Sequence, residues 1–371
     1  MTMVGVVGLG TMGLGIAQVF AQAGAVVLAT DAVEAAREGA RDRLAGALDG
    51  RVKAGKMTAE ERDAILGRLV VVEGPASMGA AELVVEAVVE DLSVKRALLA
   101  ALEEVVAPGA VLATNTSSLS VARIAEGVRH PERVVGLHFF NPAPVQRLVE
   151  LVRHGGTSEA ALAVARRLAE AAGKVVVEAP DTPGFIVNRC ARPFYGEALA
   201  LLEEGRTAAE IDAAVMAAGY RIGPFALIDL IGADVHLAAT RAVWEGMGRH
   251  PRYRVFAALE AQVASGALGR KAGRGFVTAA GEAPGDAGTI VERIEATLAN
   301  EAGWLLSEGS VTTEAVDAAT RLALSWPRGP FEMLAARGRG AVRARLEALE
   351  ARAPAHLRGR YAPAPILMEG A

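Results

Sequence analysis

The stretch Met3-Val4-Gly5-Val6-Val7-Gly8-Leu9-Gly10-Thr11-Met12-Gly13 decides the fold of this chain. Its first five residues predict a short buried strand, and the small apolar residues 14–23 predict a helix. Between them Gly8 allows a tight turn, Gly10 lets the backbone approach a pyrophosphate, and Gly13 lets the helix pack closely on the strand. With a strand before it and a helix after it, this glycine pattern predicts a dinucleotide-binding domain.

The phosphates of the dinucleotide are expected at the N-terminus of that helix, where backbone N–H groups and the helix dipole favour anions. Thr11 and Met12 belong to the same loop and are predicted cofactor-binding residues with the three glycines. A second apolar strand, residues 26–30, ends at Asp31. A carboxylate there accepts the ribose hydroxyls and repels a 2′-phosphate, which favours NAD over NADP. In isolation Asp31 could also be a helix cap.

Composition narrows the class of protein. The chain has 371 residues, enough for two or three domains, and 52% of them are hydrophobic. No apolar stretch approaches the roughly 20 residues of a membrane span, and Met1 is followed directly by the first strand, so neither a membrane span nor a secretory signal is expected. The single Cys190 fits a reducing cytoplasm. A net charge of −4 without a basic block gives no case for nucleic acid, and no Cys/His cluster suggests a metal.

A histidine and a carboxylate interrupt two neighbouring apolar runs. His138 ends the run 134–138, and Glu150 lies in the run 148–152. Polar groups in buried strands lower stability unless they pair. A short loop through Pro142 and Pro144 would bring the strands together, so that Glu150 bonds one ring nitrogen and the other can take a proton. The alternative is a satisfied core histidine.

The segment between Asp31 and the strand predicted at Leu83–Val85 is too long for a simple crossover. We interpret it as two helices, one from Val33 to Leu48 and one beginning at the capping-box residue Thr58. The turn between them is basic and carries Arg51, Lys53 and Lys56. Such a turn is either simply solvated or a clamp for a phosphate-bearing substrate.

Polar residues follow the strand predicted at Val111–Thr114, in the segment Asn115-Thr116-Ser117-Ser118. Ligands bind at the carboxyl ends of parallel strands, which makes these residues site candidates. Ser117 could equally be the N-cap of a helix that begins near Val121.

A last strand is predicted at Val175–Val177, followed by a helix. Asp181 or Thr182 can cap that helix with Pro183 in its first turn. Asn188 then lies within its first two turns, as either a buried structural amide or a donor to substrate.

Four motifs, in order and with matching spacing, resemble the (S)-3-hydroxyacyl-CoA dehydrogenase family, and the likeness extends from Met3 to about Val277. The resemblance implies NAD-dependent oxidation of 3-hydroxyacyl-CoA to 3-oxoacyl-CoA, as in fatty acid metabolism and beta-oxidation, with acyl length and pathway left open. The motifs are Gly8–Gly13, Asn115-Thr116-Ser117-Ser118-Leu119, Gly136-Leu137-His138-Phe139-Phe140-Asn141-Pro142 and Asp181-Thr182-Pro183-Gly184-Phe185-Ile186-Val187-Asn188-Arg189.

The resemblance also implies residue roles. His138 is the general base, and Glu150 orients it. Ser117 and Asn188 match polar residues around the substrate oxygen and the nicotinamide, and the turn of Arg51, Lys53 and Lys56 matches a helical hairpin that covers coenzyme A. Positions assigned to the cofactor are Glu90, Lys95, Asn115, Asn141 and Lys271.

An internal repeat follows the family-like part of the chain. Glu197–Gly205 recurs as Glu301–Gly309, and Gly223-Pro224-Phe225 recurs as Gly329-Pro330-Phe331, at offsets of 104 to 106 residues. We therefore expect an α/β Rossmann-like domain followed by an all-α domain in two tandem copies. The second copy has Glu292 where the first has Asn188, so a second site is not expected. An independent appended helical domain is the alternative.

The predicted domains are a Rossmann-like NAD-binding domain, 1–181, with a helical hairpin insertion, 32–72; a helical domain, 182–278; its degenerate second copy, 288–360; and an extended or disordered tail, 361–371. In short family members the helical domain mediates dimerisation, so an internal copy favours a monomer or a new homodimer. Two other functions stay open: a dehydrogenase of a non-CoA 3-hydroxy acid such as carnitine or a sugar acid, and a catalytically silent NAD-binding structural protein.

Overall fold

A computed structural model describes residues 2–368 of the chain, which forms two compact units. The first unit ends at Thr182 and the second begins at Pro183, and each is described by itself. Within the described residues, no helix combines the length and the apolar character that crossing a membrane requires.

The first unit is built on one eight-stranded sheet in the order β3-β2-β1-β4-β5-β6-β7-β8. All neighbouring strands run parallel except β6 and β7, which are antiparallel. The strands are β1 (Met3–Val7), β2 (Val26–Thr30), β3 (Leu69–Val71), β4 (Leu83–Glu86), β5 (Val111–Thr114), β6 (Val134–Phe139), β7 (Leu148–Arg153) and β8 (Val175–Pro180).

Seven α-helices accompany this sheet in the described part of the first unit, and 3₁₀ turns occur at Pro75–Ala80 and Pro131–Arg133. The buried faces of strands and helices form a continuous apolar core, as expected for a largely parallel sheet. The helices are α1 (Thr11–Gln22), α2 (Glu34–Glu38), α3 (Ala40–Lys53), α4 (Ala59–Arg68), α5 (Leu92–Glu103), α6 (Val121–Ala125) and α7 (Glu159–Ala171).

The segment after Asp31 differs in two ways from the predicted hairpin insertion. The helix predicted at Val33–Leu48 is two helices that meet at Gly39, and the second continues to Lys53. The insertion predicted to reach residue 72 ends instead in β3, an edge strand whose three residues are too few for a readable period. The capping box of Thr58 and Glu61 is confirmed at the start of α4.

Two predicted helix starts and one predicted cap were wrong, whereas the helix predicted to begin near Val121 does begin there. Helix α1 begins at Thr11 rather than Leu14, directly after the glycine turn. Ser120, not Ser117, caps α6, and it does so together with the carboxylate of Asp181, which accepts hydrogen bonds from the backbone of Val121 and Ala122. Asp181 therefore caps a helix 60 residues earlier in the chain, and the helix that follows Asp181 begins only at Val187.

The second unit contains only helices and turns among its described residues. The first helical segment, residues 183–278, and the second, residues 287–368, are joined by residues 279–286, which form neither helix nor strand, as expected of a linker. Short 3₁₀ turns lie at Pro251–Tyr253, Arg270–Ala272 and Ala355–Leu357. The helices of the first segment are α8 (Val187–Cys190), α9 (Arg192–Glu203), α10 (Ala208–Ala217), α11 (Pro224–Ile231), α12 (Ala233–Gly246) and α13 (Ala257–Ala264).

The helices of the second segment are α14 (Ala287–Ser307), α15 (Thr313–Leu324), α16 (Pro330–Arg337), α17 (Arg339–Arg352) and α18 (Pro365–Met368). The two segments use the same local devices at the offsets seen in the sequence. Asp212 accepts hydrogen bonds from the first N–H groups of α11, at 2.9 and 2.8 Å, and Asp317 does the same for α16, at 2.8 and 3.0 Å.

An arginine of each segment also bonds glutamates of the other segment, an arrangement that we call the reciprocal exchange. Arg189 bonds Glu301 at 2.8 Å and Glu308 at 2.7 and 2.8 Å, both in α14. Arg293, 104 residues after Arg189, makes the equivalent bonds to Glu197 at 2.9 Å and to Glu204 at 2.7 and 2.8 Å. Such reciprocity, in which residue i contacts j and the equivalent of j contacts the equivalent of i, is the pattern of a two-fold interface.

The end of the described chain is folded, so the predicted extended tail is wrong for residues 361–368. Tyr361 is buried, and its hydroxyl lies 3.2 Å from Oε2 of Glu197. The guanidinium of Arg360 donates to Oε1 of the same carboxylate at 2.7 Å. The pair Arg252 and Tyr253 makes the matching contacts to Glu301. Residues 369–371 of the predicted tail lie outside the described residues.

Candidate active site

The glycine loop has the shape that a pyrophosphate requires. Gly8 has φ = 95°, in the region that favours glycine, and a Cβ on Gly13 would lie only 1.7 Å from the carbonyl oxygen of Gly8. A Cβ on Gly10, in contrast, would meet nothing within 4 Å, which leaves that backbone open to a ligand. Because α1 begins immediately afterwards, its first N–H groups lie beside this opening.

Asp31 lies at the carboxyl end of β2 and is tied to the glycine loop. Its carboxylate accepts hydrogen bonds from the backbone N–H of Leu9 at 2.6 Å and of Val33 at 2.8 Å. A carboxylate has about four acceptor positions, so two remain for ribose hydroxyls. The loop and Asp31 therefore fit the adenosine diphosphate part of NAD.

His138 and Glu150 are direct partners in the antiparallel β6–β7 pair, as the sequence predicted. The ring nitrogen Nδ1 of His138 lies 2.7 Å from Oε2 of Glu150, and both residues are buried. With Nδ1 donating to the carboxylate, Nε2 is the nitrogen that can accept a proton. The ring of Phe140 packs against the imidazole at a centroid distance of 4.4 Å.

Glu90 organises the polar loop at the end of β5. Its Oε1 accepts hydrogen bonds from the Thr116 hydroxyl at 2.6 Å, from the backbone of Ser117 at 3.1 Å and from the hydroxyl of Ser118 at 2.9 Å. Burial opposes its ionisation, but the hydrogen bonds of Thr116 and the charge of Lys95 outweigh burial and lower the pKa of Glu90. Glu90 is therefore a carboxylate that fixes the position of Ser117.

A buried ion pair stands behind this loop. The Lys95 ammonium donates to both oxygens of Glu86, at 2.8 and 2.9 Å, and lies 3.3 Å from Glu90. Thr114 also hydrogen-bonds Glu86. Lys95, predicted to contact the cofactor, is thus fully buried and held by two carboxylates. Glu86 had no predicted role, although a carboxylate within the apolar run 83–88 was the pattern that could have identified it.

The loop between β6 and β7 is held by a residue that sequence reasoning also missed. Lys174, which is buried, donates from Nζ to the carbonyl oxygens of Ala143 at 2.6 Å and Gln146 at 2.7 Å. Burial lowers its pKa. Asn141 lies in the same loop, and Asn115 accepts a hydrogen bond from the backbone of Phe139 at 2.8 Å, which joins the ends of β5 and β6. The scarcity of lysine in this chain was the only sequence hint to Lys174.

The other predicted residues lie near the end of α3 and in the second unit. Lys53 and Lys56 are exposed at the end of α3 and in the turn before α4, and Arg51 is partly buried in α3. Asn188 is the second residue of α8. Lys271 pairs with Asp234 at 2.6 Å. Among residues 2–368, His, Cys, Asp and Glu side chains form no group of three or more that could hold a metal ion.

Family models match both units of the chain. The model described as 3-hydroxyacyl-CoA dehydrogenase, NAD binding domain, matches residues 3–182. The model described as 3-hydroxyacyl-CoA dehydrogenase, C-terminal domain, matches residues 184–279 and residues 288–370.

Individual proteins agree with these models. The chain is 46% identical over 274 residues to 3-hydroxyadipyl-CoA dehydrogenase of Escherichia coli, a match that covers 73% of this chain and only 58% of that protein. It is 43% identical over 279 residues to 3-hydroxybutyryl-CoA dehydrogenase of Mycobacterium tuberculosis, covering 74% and 97%. A crystal structure of 3-hydroxybutyryl-CoA dehydrogenase from Escherichia coli matches 99% of this chain and 97% of its own, with a TM-score of 0.91 and 32% identity.

Proposed function

Because the chain belongs to the 3-hydroxyacyl-CoA dehydrogenase family, we propose that His138 is the general base of its reaction and that Glu150 orients it. The enzyme is an NAD-dependent oxidoreductase that converts 3-hydroxyacyl-CoA to 3-oxoacyl-CoA. The observation that carries the proposal for His138 is the 2.7 Å contact between its Nδ1 and the buried Glu150 carboxylate. That contact fixes the tautomer, holds Nε2 ready for the hydroxyl proton and stabilises the imidazolium that results.

The first unit holds NAD, which accepts the hydride when it is bound. In our proposal the backbone from Gly8 to Gly13 and the start of α1 bind the pyrophosphate, and Asp31 binds the ribose. Glu90, Lys95, Asn115 and Asn141 complete the cofactor side. Glu90 and Lys95 act from behind, through the loop that they fix, because the Lys95 ammonium is buried against Glu86.

We assign Ser117 and Asn188 to the substrate oxygen and the nicotinamide, and Lys271 to the cofactor. The exposed Lys53 and Lys56, with the partly buried Arg51 beside them, bind phosphates of coenzyme A by charge attraction. This basic segment supports our proposal of a thioester substrate over a free hydroxy acid such as carnitine or a sugar acid.

We further propose that residues 182–278 and 288–360 are tandem copies of one helical domain, and that the second takes the place of a partner subunit. The matched caps of Asp212 and Asp317 and the reciprocal arginine contacts support this proposal. A monomer or a new homodimer is the expected state, in an enzyme that we propose is cytoplasmic. Light scattering that finds a dimer formed through the first copy would refute it.

The test is NADH consumption by purified protein with acetoacetyl-CoA, beside free acetoacetate and with NADPH as the cofactor control. We expect turnover with the thioester and NADH only. His138→Gln should keep NAD binding and lower kcat by about two to four orders of magnitude, the size of a general-base contribution. Wild-type turnover in this variant would reject His138 as the base, and activity on the free acid alone would reject coenzyme A as the handle.

A further inference from the structure

A polar cluster lies inside the first helical segment, around Arg192. Arg192, Tyr195, His236 and Thr240 are each at most 8% exposed. The guanidinium of Arg192 donates from Nε to the carbonyl oxygen of Asn188 at 2.8 Å and from Nη1 to the Thr240 hydroxyl at 3.1 Å. Its carbon Cζ lies 5.3 Å from the centre of the Tyr195 ring.

The charge of Arg192 is not matched by a carboxylate. Within residues 2–368, every buried arginine of the reciprocal exchange contacts at least one glutamate, namely Arg189, Arg293 and Arg360. Arg192 contacts only neutral oxygens and an aromatic face. Burial lowers the pKa of Arg192, yet an arginine side chain stays protonated in proteins. A buried cation without a counter-ion is unfavourable, so an anion would stabilise this cluster.

A small cavity borders the cluster and is electropositive. It measures about 10 Å³, room for about one water-sized group such as a carboxylate oxygen. Arg192, Arg252 and Arg254 line it together with His236 and Thr240, and none of the described lining residues is acidic. Arg252 is paired with Glu301 at 3.0 Å, so the unmatched charge is that of Arg192. The cavity therefore offers positive charge and hydrogen-bond donors to the end of a negatively charged ligand.

The second helical segment shows what the same positions contain when only packing is required. At offsets of 104 residues in α14 and 106 in α17, the equivalents of the cluster are all at most 1% exposed. They are apolar throughout: Ala296, Ala299, Val342 and Leu346 replace Arg192, Tyr195, His236 and Thr240. The helical fold thus needs no charge there, and the buried arginine of the first segment calls for a functional reason.

We propose that Arg192 binds a carboxylate at the far end of the acyl chain, so that the substrates of this enzyme are thioesters of dicarboxylic 3-hydroxy acids. The proposal rests on the proposed function, in which Asn188 holds the substrate oxygen. Arg192 lies four residues after Asn188 and bonds its carbonyl, so the two side chains are about one helical turn, or roughly 5.4 Å of rise, apart. A short acyl chain that is held at Asn188 can therefore reach Arg192 with its distal carboxylate.

The experiment compares two thioesters of equal chain length, 3-hydroxyadipyl-CoA and 3-hydroxyhexanoyl-CoA, which differ in the terminal carboxylate. We expect wild-type kcat/KM to favour the carboxylate-ended chain at least tenfold. Arg192→Met, which keeps the volume but removes the charge, should lower that preference about 10- to 100-fold, the size of a charge-assisted hydrogen bond. Arg192→Lys should restore part of it.

The outcomes separate this inference from the proposed function. No activity on either thioester would refute the proposed function itself. Two outcomes would refute only the role of Arg192. In one, wild type acts on both thioesters without preferring the carboxylate-ended chain. In the other, wild type has that preference but Arg192→Met leaves it unchanged. Thr240→Val, which keeps the charge but removes one hydroxyl that holds the guanidinium, should reduce the preference by less than Arg192→Met does. Melting curves and NADH binding confirm that each variant is folded.

Discussion

Arg189 and Arg293 occupy equivalent places in the two helical segments, and each is bound by two glutamates of the other segment. The residue before the arginine differs. It is Asn188 in the first segment, and Glu292, paired with Arg345 at 2.6 Å, in the second. The shared arginines hold the segments together, whereas Asn188, which differs, is a residue that we propose the reaction uses. Because one chain contains both versions, each variant has an internal control.

The largest effect is expected when the negative charge of each of the two buried glutamates is removed in turn. Glu301→Gln leaves Arg252 without a counter-charge and Glu197→Gln leaves Arg360 without one, while Arg189 and Arg293 each lose one of two carboxylates. Each change should lower the free energy of unfolding by about 3 to 5 kcal/mol in urea denaturation. Only Glu301→Gln should also lower kcat, about tenfold at unchanged KM for NADH, because Glu301 positions the arginine next to Asn188.

Activity is measured at low temperature, where circular dichroism shows both variants folded. Equal kcat values for Glu301→Gln and Glu197→Gln would show that the exchange acts on stability alone. A similar loss of kcat in Glu197→Gln would show that the reciprocal contacts of the two helical segments do not differ in their effect on catalysis.

The next largest effect exchanges the residues that differ. Asn188→Glu places the residue of the second segment in the first, removes a donor and adds a negative charge beside the proposed substrate oxygen. We expect kcat to fall about 10²- to 10³-fold, the size of losing one oxyanion donor. The reciprocal variant Glu292→Asn should change kcat less than twofold. Similar losses in both would contradict the assignment of the site to the first segment.

The stability that the ionised carboxylate of Glu197 contributes should decrease at acid pH. Burial opposes its ionisation, but the charges of Arg360 and Arg293 outweigh burial and lower the pKa of Glu197 in the folded protein. Its stabilisation is therefore present above the ordinary glutamate pKa and is lost as the pH falls through the lower, folded value. The stability difference between wild type and Glu197→Gln should shrink below about pH 4. A difference that does not depend on pH would contradict this.

The smallest effect concerns the matched helix caps. Asp212→Ala and Asp317→Ala each remove the acceptor for two N–H groups at a helix start, and each should destabilise the protein by about 1 kcal/mol. Because the two carboxylates share no hydrogen-bond partner and serve different helices, the double variant should show the sum. A double variant well away from additivity would indicate that the caps are coupled.

Local patterns predicted the parts of this protein that depend on near neighbours in sequence. The glycine turn, the strand before it and the His138–Glu150 pair all follow from period and spacing, and the structure contains them. The reciprocal exchange was not predictable, since Arg189 and Glu301 are 112 residues apart and both lie in helices that look ordinary. The cap that Asp181 provides to α6 and the anchoring of the β6–β7 loop by Lys174 were missed for the same reason.

Short-range reasoning failed most clearly at the end of the chain. A Pro- and Ala-rich sequence favours an extended tail, but tertiary contacts of Arg360 and Tyr361 decide otherwise. The cluster around Arg192 was missed because each of its residues is unremarkable alone. Only their shared burial and the apolar residues at the same places in the second segment make them visible.

The contact between Arg360 and Glu197 has a consequence for synthesis on the ribosome. These residues are 163 positions apart, so at about 5 to 20 residues per second Glu197 emerges roughly 10 to 30 seconds before its partner. During that interval Glu197 lacks Arg360, and until Arg293 emerges, 96 residues after Glu197, the carboxylate has neither of its two arginines. Completion of the second unit is therefore tied to arrival of its last helices, and a nascent chain that stalls before Arg360 remains a natural target for chaperones and proteases.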